Sequence, residues 1–218
     1  MNLPNKLSLL RICLIPFFVA AYFLPFWWGA IVAVGIFILA AFTDFLDGHI
    51  ARKYNLVTDL GKLLDPIADK ILVCAALFCL AATNPITTVY QPIDISTIKP
   101  YFDLVQTGGY VFFAVCGTLI LSRELLISAV RMIAASKGVV VQANIYGKVK
   151  TVFQVVSLPC LLLLRCTSFE QCTGMLFFTI LMYVGLVLFV VAVVLTIVSG
   201  IIYLVQNKKV FAEKTKEE

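Results

Sequence analysis

The chain reads as a series of long apolar runs separated by short polar breaks. A helix that crosses a bilayer needs roughly 20 mostly apolar residues. Six runs approach that length: about 7–25, 27–53, 61–83, 107–136, 145–165 and 174–206. The first follows Asn2-Leu3-Pro4-Asn5 and the third stops before Asn84-Pro85. The second opens on Trp27 and Trp28, whose rings suit a membrane–water interface. Pro16 and Pro159 lack the donor NH and are expected to bend the first and fifth helices. The longest break, about 84–106, is expected to be an outer loop, and the end from about 207 to 218 a solvated tail. The sixth run has no charge from Gly174 to Val205 and is expected to pack as scaffold or face lipid. The pattern predicts an all-α integral membrane protein, a single domain over 1–218 with six transmembrane helices.

Composition agrees: 61% of the residues are hydrophobic and 13% charged, whereas soluble domains carry about a quarter charged residues. The net charge of +5 does not point to nucleic acid, because the basic residues form no stripe. They report topology. With both termini cytoplasmic, every one of the 17 Lys and Arg residues except Lys99 and Arg165 falls at an inner end or loop, as the positive-inside rule requires. Of the seven cysteines, Cys13, Cys74, Cys79, Cys116 and Cys160 lie in apolar runs as small filler. Cys166 and Cys172 flank a short loop and are able to pair if it faces an oxidising compartment. The first run contains Arg11 and no small-residue cleavage site, so it reads as a retained helix.

Against this background the stretch TDFLDGHIARKYNLVTDLGKLLDPIADK, 43–70, stands out. It places Asp44, Asp47, Asp65 and Asp69 at the inner edge of two apolar runs. An Asp at the centre of a spanning helix costs about 2.5–3.5 kcal/mol on insertion scales, and four together repel one another. Asp44 and Asp47 are spaced i,i+3, and Asp65 and Asp69 i,i+4, so each pair shares one helix face. A tight return over about 53–60 would bring the faces together. Oxygen ligands without His or Cys describe a site for Mg²⁺, Mn²⁺ or Ca²⁺. Two such ions roughly 3.5–4 Å apart form a clamp for phosphoryl chemistry. Gly48, Ala51 and Gly61 let a bulky ligand approach closely, and Arg52 is placed to meet a phosphate. A lone Asp here would read as a helix-end charge paired with Arg52, Lys53, Lys62 or Lys70; four at this spacing, with the glycines, do not. His49, the only histidine, reads as solvent-facing or interfacial.

The stretch resembles the signature of the CDP-alcohol phosphotransferase family, D-x2-D-G-x2-A-R-x8-G-x3-D-x3-D. It matches at every fixed position: Asp44, Asp47, Gly48, Ala51, Arg52, Gly61, Asp65 and Asp69. The resemblance extends to the six-helix layout. It implies that the first three aspartates chiefly hold two divalent ions, Mg²⁺ or Mn²⁺. Asp69 completes the metal site and is the base that activates the acceptor hydroxyl. The glycines and Ala51 line the CDP site. A phosphatidyl-type group passes from a CDP-linked donor to an alcohol, and CMP is released. The family is typically homodimeric.

The acceptor is suggested by two further stretches. SRELLISAVR places Arg123 and Arg131 on the fourth helix, and GKVKT places Lys148 and Lys150 at the start of the fifth. All four belong at the aspartates' end of the bundle, and cations there suit an acceptor bearing its own phosphate. Each is also what topology alone would place there. Glu124 reads as a partner or orienting group for Arg123. Together with the opening MNLPNKLSLLRI, these stretches resemble the bacterial family members that use glycerol 3-phosphate. That resemblance implies transfer from CDP-diacylglycerol to glycerol 3-phosphate in the bacterial cytoplasmic (inner) membrane, in a polar cavity open to the cytoplasm. It also implies that Arg123, Arg131, Lys148 and Lys150 bind the acceptor phosphate, and that Asn5 and Arg11 approach the donor head group. Inositol phosphate, serine and phosphatidylglycerol are alternative acceptors. A divalent-cation transporter is the rival from another class, since intramembrane acids also line ion pathways.

Overall fold

The computed structural model describes residues 3–53, 59–86, 99–136, 145–168 and 175–206. They form six α-helices: α1 Leu3–Phe23, α2 Trp27–Lys53, α3 Asp59–Thr83, α4 Lys99–Ser136, α5 Ile145–Leu163 and α6 Met175–Gln206. A 3-10 turn, Leu164–Ser168, follows α5. No strand occurs among the described residues.

Among the described residues, four stretches are long and apolar enough to cross a membrane: Lys6–Phe23, Asp103–Met132, Val149–Cys166 and Leu176–Gln206. The described apolar stretches of α2 and α3, Trp27–Thr43 and Lys70–Thr83, are shorter. The remaining turns of these two helices carry the aspartates. The chain is a multi-pass membrane protein. Pro16 and Pro159 sit inside α1 and α5.

The hydrophobic pattern placed the start of the fourth helix at about 107, but α4 already begins at Lys99. Pro100 falls in its first turn, where a missing NH costs nothing. Part of the expected outer loop 84–106 is therefore helix, and 87–98 lies outside the described residues.

The helices close a ring in the order α2, α1, α3, α4, α6, α5 and back to α2, with α3 also touching α2 and α5. The main core joins residues of α1 to α6. Phe18 on α1 meets Phe37 on α2 with centroids 5.9 Å apart, and Phe113 on α4 meets Phe189 on α6 at 5.6 Å. Ala33 and Ala40 on α2 and Ala76 on α3 are fully buried. Lipid tails supply no hydrophobic drive between helices, so close approach through small residues provides it. The opposite faces stay apolar and outward: Leu176, Val187 and Ile201 on α6 are all more than half exposed. A separate small cluster, Ile127, Val130 and Tyr203, joins α4 to α6 nearer the end that carries the aspartates. Polar side chains lie between it and the main core.

The end of the bundle opposite the aspartates is tied by hydrogen bonds. The Tyr22 hydroxyl meets Thr83 Oγ1 at 2.9 Å, joining α1 to α3. Arg165 donates from Nε to the Tyr22 carbonyl at 2.6 Å and lies over the Tyr22 ring. Cys166 is buried and its Sγ donates to the Trp27 carbonyl at 3.3 Å; Cys172, with which it was expected to be able to pair, lies outside the described residues. Asn84 ends α3 with φ at 45°, a left-handed conformation that Asn tolerates. Its Nδ2 donates to the Gln106 carbonyl at 2.7 Å.

That last contact depends on Gly109. A Cβ there would overlap the Asn84 carboxamide, whereas one on Gly108 would meet open space. Gly109→Ala is expected to lower the thermal midpoint in detergent, consistent with about 1–3 kcal/mol for overpacking and a displaced buried hydrogen bond. Gly108→Ala is expected to leave it unchanged or slightly raised. Equal midpoints for the two variants would refute the account of this corner.

Candidate active site

The signature residues divide between two packed helices. Asp44, Asp47, Gly48, Ala51 and Arg52 lie in the last turns of α2, and Gly61, Asp65 and Asp69 in the first turns of α3. Both segments are helical, so Asp44 and Asp47 share one face and Asp65 and Asp69 another. The two helices are in contact, and five residues, 54–58, separate them in sequence. The side chains of these eight residues, with those of Asn5 and Lys148, lie outside the described residues, as do residues 54–58 of the expected tight return. The donor set consists of carboxylates alone, which suits a hard divalent cation.

Around this pair of helix ends the described side chains are unusually polar for their depth. Arg11 is fully buried on α1, and Ser8 is buried on the same face; both are partnered. A buried guanidinium is tolerated at such depth only where opposite charge or hydrogen bonds surround it. α1 packs on α2 and α3, the two helices that carry the aspartates. This places Arg11 beside the signature.

α4, α5 and α6 supply a second polar group, centred on Glu124. Lys150 on α5 forms an ion pair with Glu124 Oε1 and is almost wholly buried. Arg123 Nη1 lies 3.5 Å from the same oxygen. Arg123 Nη2 donates to Ser199 Oγ on α6 at 2.9 Å. Two glycines make room for this arginine: a Cβ on Gly200 would stand 3.1 Å from Arg123 Cγ, and one on Gly147 would stand 3.7 Å from its Nη2. From α3, Lys70 donates to Ser128 Oγ, and Ser128 in turn donates to the Glu124 carbonyl at 2.8 Å. Arg131 is exposed, two turns further along α4, and among the described residues no ion pair or hydrogen bond joins it to Arg123.

The structure thus brings Arg123 and Lys150 together through Glu124, which the sequence marked as a partner or orienting group for Arg123 but not for Lys150. It also adds Lys70, Ser128 and Ser199, which sequence reasoning missed. Ser199-Gly200 was legible only as a small polar break in the charge-free α6, and its use becomes clear once α6 packs on α4. A cavity bordered by Lys70, Glu124, Thr151 and Gln154 opens between α3, α4 and α5. Lys70 immediately follows Asp69 in sequence, and the side chain of Asp69 lies outside the described residues.

Comparison with known proteins shows the family. The family model for CDP-alcohol phosphatidyltransferase matches residues 1–198. A protein of Bacillus subtilis (strain 168) named CDP-diacylglycerol–glycerol-3-phosphate 3-phosphatidyltransferase is 39% identical over 175 residues, covering 74% of this chain and 77% of the relative. A protein of the same name from Salmonella paratyphi A is 35% identical over 205 residues, covering 93% of each chain. One from Arabidopsis thaliana, carrying that name with the number 2, is 37% identical over 174 residues, covering 78% of this chain and 68% of the relative. Members of the family are generally dependent on a divalent metal. The chain belongs to the CDP-alcohol phosphatidyltransferase family.

Proposed function

We propose that the protein transfers the phosphatidyl group of CDP-diacylglycerol to glycerol 3-phosphate, giving phosphatidylglycerol phosphate and CMP. The observation that carries this reading is the meeting of Arg123 and Lys150 at Glu124, beside a cavity bordered by the residue after Asp69. Lys70 and Glu124 border that space, and Glu124 pairs with both Arg123 and Lys150. The names of the relatives point to the same donor and acceptor.

Asp44, Asp47, Asp65 and Asp69 would hold two divalent ions, Mg²⁺ or Mn²⁺. Such ions, when bound, neutralise charge on the donor's pyrophosphate and on departing CMP. The chain's own residues do the rest. Gly48, Ala51 and Gly61 give the CDP moiety close access to the helices, and Arg52, with Asn5 and Arg11, faces its phosphates. Arg123, Lys148 and Lys150 hold the phosphate of glycerol 3-phosphate, with Arg131 further out. Asp69 takes the proton from the acceptor's primary hydroxyl. That oxygen attacks the β-phosphorus of the donor; the bond from this phosphorus to the pyrophosphate's bridging oxygen breaks, and CMP leaves with that oxygen. All six helices would span the bacterial cytoplasmic membrane, with both termini and the cavity on the cytoplasmic side and the active molecule a homodimer.

Purified protein with CDP-diacylglycerol and Mg²⁺ is expected to release CMP with glycerol 3-phosphate far faster than with glycerol, inositol, inositol phosphate or serine. A charge-assisted phosphate contact contributes about 1.5–3 kcal/mol, which corresponds to roughly 10- to 150-fold in acceptor kcat/KM. Arg123→Gln and Lys150→Gln are expected to lose that much. Arg131→Gln should lose less, because an exposed charge is screened. If an unphosphorylated alcohol is the best acceptor, the assignment fails.

A further inference from the structure

Helix α6 carries no charged residue, yet one of its faces is polar where it meets α4. Thr196, Ser199 and Tyr203 are all buried there, and their spacing of three and four residues puts them on one side of the helix. A hydroxyl at such depth needs a partner. Ser199 Oγ has one within its own helix, because it donates to the Thr196 carbonyl at 3.2 Å. With its proton used there, the oxygen is left as an acceptor. It accepts from Arg123 Nη2 at 2.9 Å, across 76 residues of chain. The fold of α6 does not require that second bond, and an alanine would pack almost as well in its place.

Arg123 is thereby held from three helices. Its stem runs against the α6 backbone at Gly200, where a Cβ would stand 3.1 Å from Cγ, and Gly147 of α5 leaves room beside Nη2. On its own helix, Glu124 Oε1 lies 3.5 Å from Nη1. One terminal nitrogen is thus directed by a carboxylate and the other by Ser199. A guanidinium has five N–H donors, so the two contacts together leave donors for a ligand. A free arginine must be ordered when it binds, which weakens binding; one already fixed by two polar contacts loses less. Glu124 alone does not supply this, because its Oε1 is shared with Lys150. Among the described residues, Arg123 is the side chain that Ser199 bonds, and the other bond of its hydroxyl goes to backbone.

We infer that Ser199 is a positioning residue of the acceptor site: from α6 it fixes the Arg123 guanidinium in the orientation that receives the acceptor phosphate. This rests on the acceptor-binding role proposed above for Arg123. Ser199 acts through Arg123, so its loss weakens use of the acceptor and leaves the donor alone. Helix α6, which the apolar pattern marks as scaffold, then contributes to the site through this oxygen.

CMP release by the full chain with Mg²⁺ is measured while glycerol 3-phosphate and CDP-diacylglycerol are varied in turn. Ser199→Ala is expected to lower kcat/KM for glycerol 3-phosphate roughly 3- to 15-fold, the range that a hydrogen bond between membrane helices supports. The loss should fall on the KM for that acceptor, with the KM for CDP-diacylglycerol within about twofold of the parent. Ser199→Cys keeps a weak acceptor at the same place and should fall between the parent and Ser199→Ala. The same change is then made in an Arg123→Met background, where the side chain keeps an apolar stem and has no donor. There Ser199→Ala should have no further effect on the acceptor, because the contact it removes is already gone. An equal loss in both backgrounds, or a loss shared by donor and acceptor, would make Ser199 structural and overturn the inference, as would parental acceptor kinetics in Ser199→Ala. Failure of the underlying reading has a different pattern: the parent releases CMP with an unphosphorylated alcohol and not with glycerol 3-phosphate, and the inference then falls with it.

Discussion

Asp69→Asn is expected to remove CMP release almost entirely while leaving much of the binding of CDP-diacylglycerol. The substitution keeps the size and shape of the side chain and takes away its capacity to accept a proton. A positioned general base contributes about 10²–10⁴-fold. As the proposed assignment also places Asp69 among the ligands of a divalent ion, the loss should lie at the upper end of that range or beyond. Asp44→Asn and Asp65→Asn remove charge from the ion site without touching the base, so they should weaken donor binding as well as turnover. Donor affinity and single-turnover CMP release, measured on the same preparations, separate the two kinds of loss. Near-parental turnover in Asp69→Asn would remove this residue as the base, and an unchanged donor affinity in Asp44→Asn and Asp65→Asn would remove those two from the ion site.

Why the aspartates were legible in the sequence and the acceptor floor was not follows from how each is encoded. The signature is local: its eight fixed positions span only 44–69, and helical spacing alone puts them on two faces. The helix bounds were legible for a similar reason, since α2 runs over Trp27–Lys53 as its apolar pattern requires. The pattern failed at Lys99, because helix α4 continues outward past its apolar stretch on residues that have no breaker until Gly108-Gly109. Even there the helix runs on, because Gly109 is spent on the approach of Asn84. The cationic group is long-range. Glu124 meets Lys150 across 26 residues of chain and Arg123 meets Ser199 across 76, and no periodicity predicts either.

Stripping divalent ions should abolish turnover, and it should also destabilise the protein. The second consequence follows from electrostatics. Four carboxylates on two contacting helix ends repel one another, and in the low dielectric beside a membrane that repulsion is weakly screened. Divalent cations bound as proposed would offset it, and any ligand that binds only the folded state stabilises it by mass action, about 2.7 kcal/mol at a concentration 100 times its Kd. Purified protein treated with EDTA is therefore expected to lose CMP release and to melt at a lower temperature. Mg²⁺ or Mn²⁺ should restore both, each over the same concentration range. In Asp44→Asn and Asp65→Asn the thermal response to Mg²⁺ should shrink, even where turnover is too slow to follow. Removing repulsion should at the same time make the ion-free variants melt no lower than the ion-free parent. This inversion separates a metal site from a set of carboxylates paired with neighbouring lysines. If the aspartates were held by Lys53, Lys62 and Lys70, their loss would orphan those cations and lower the ion-free melting temperature, and EDTA would leave turnover intact.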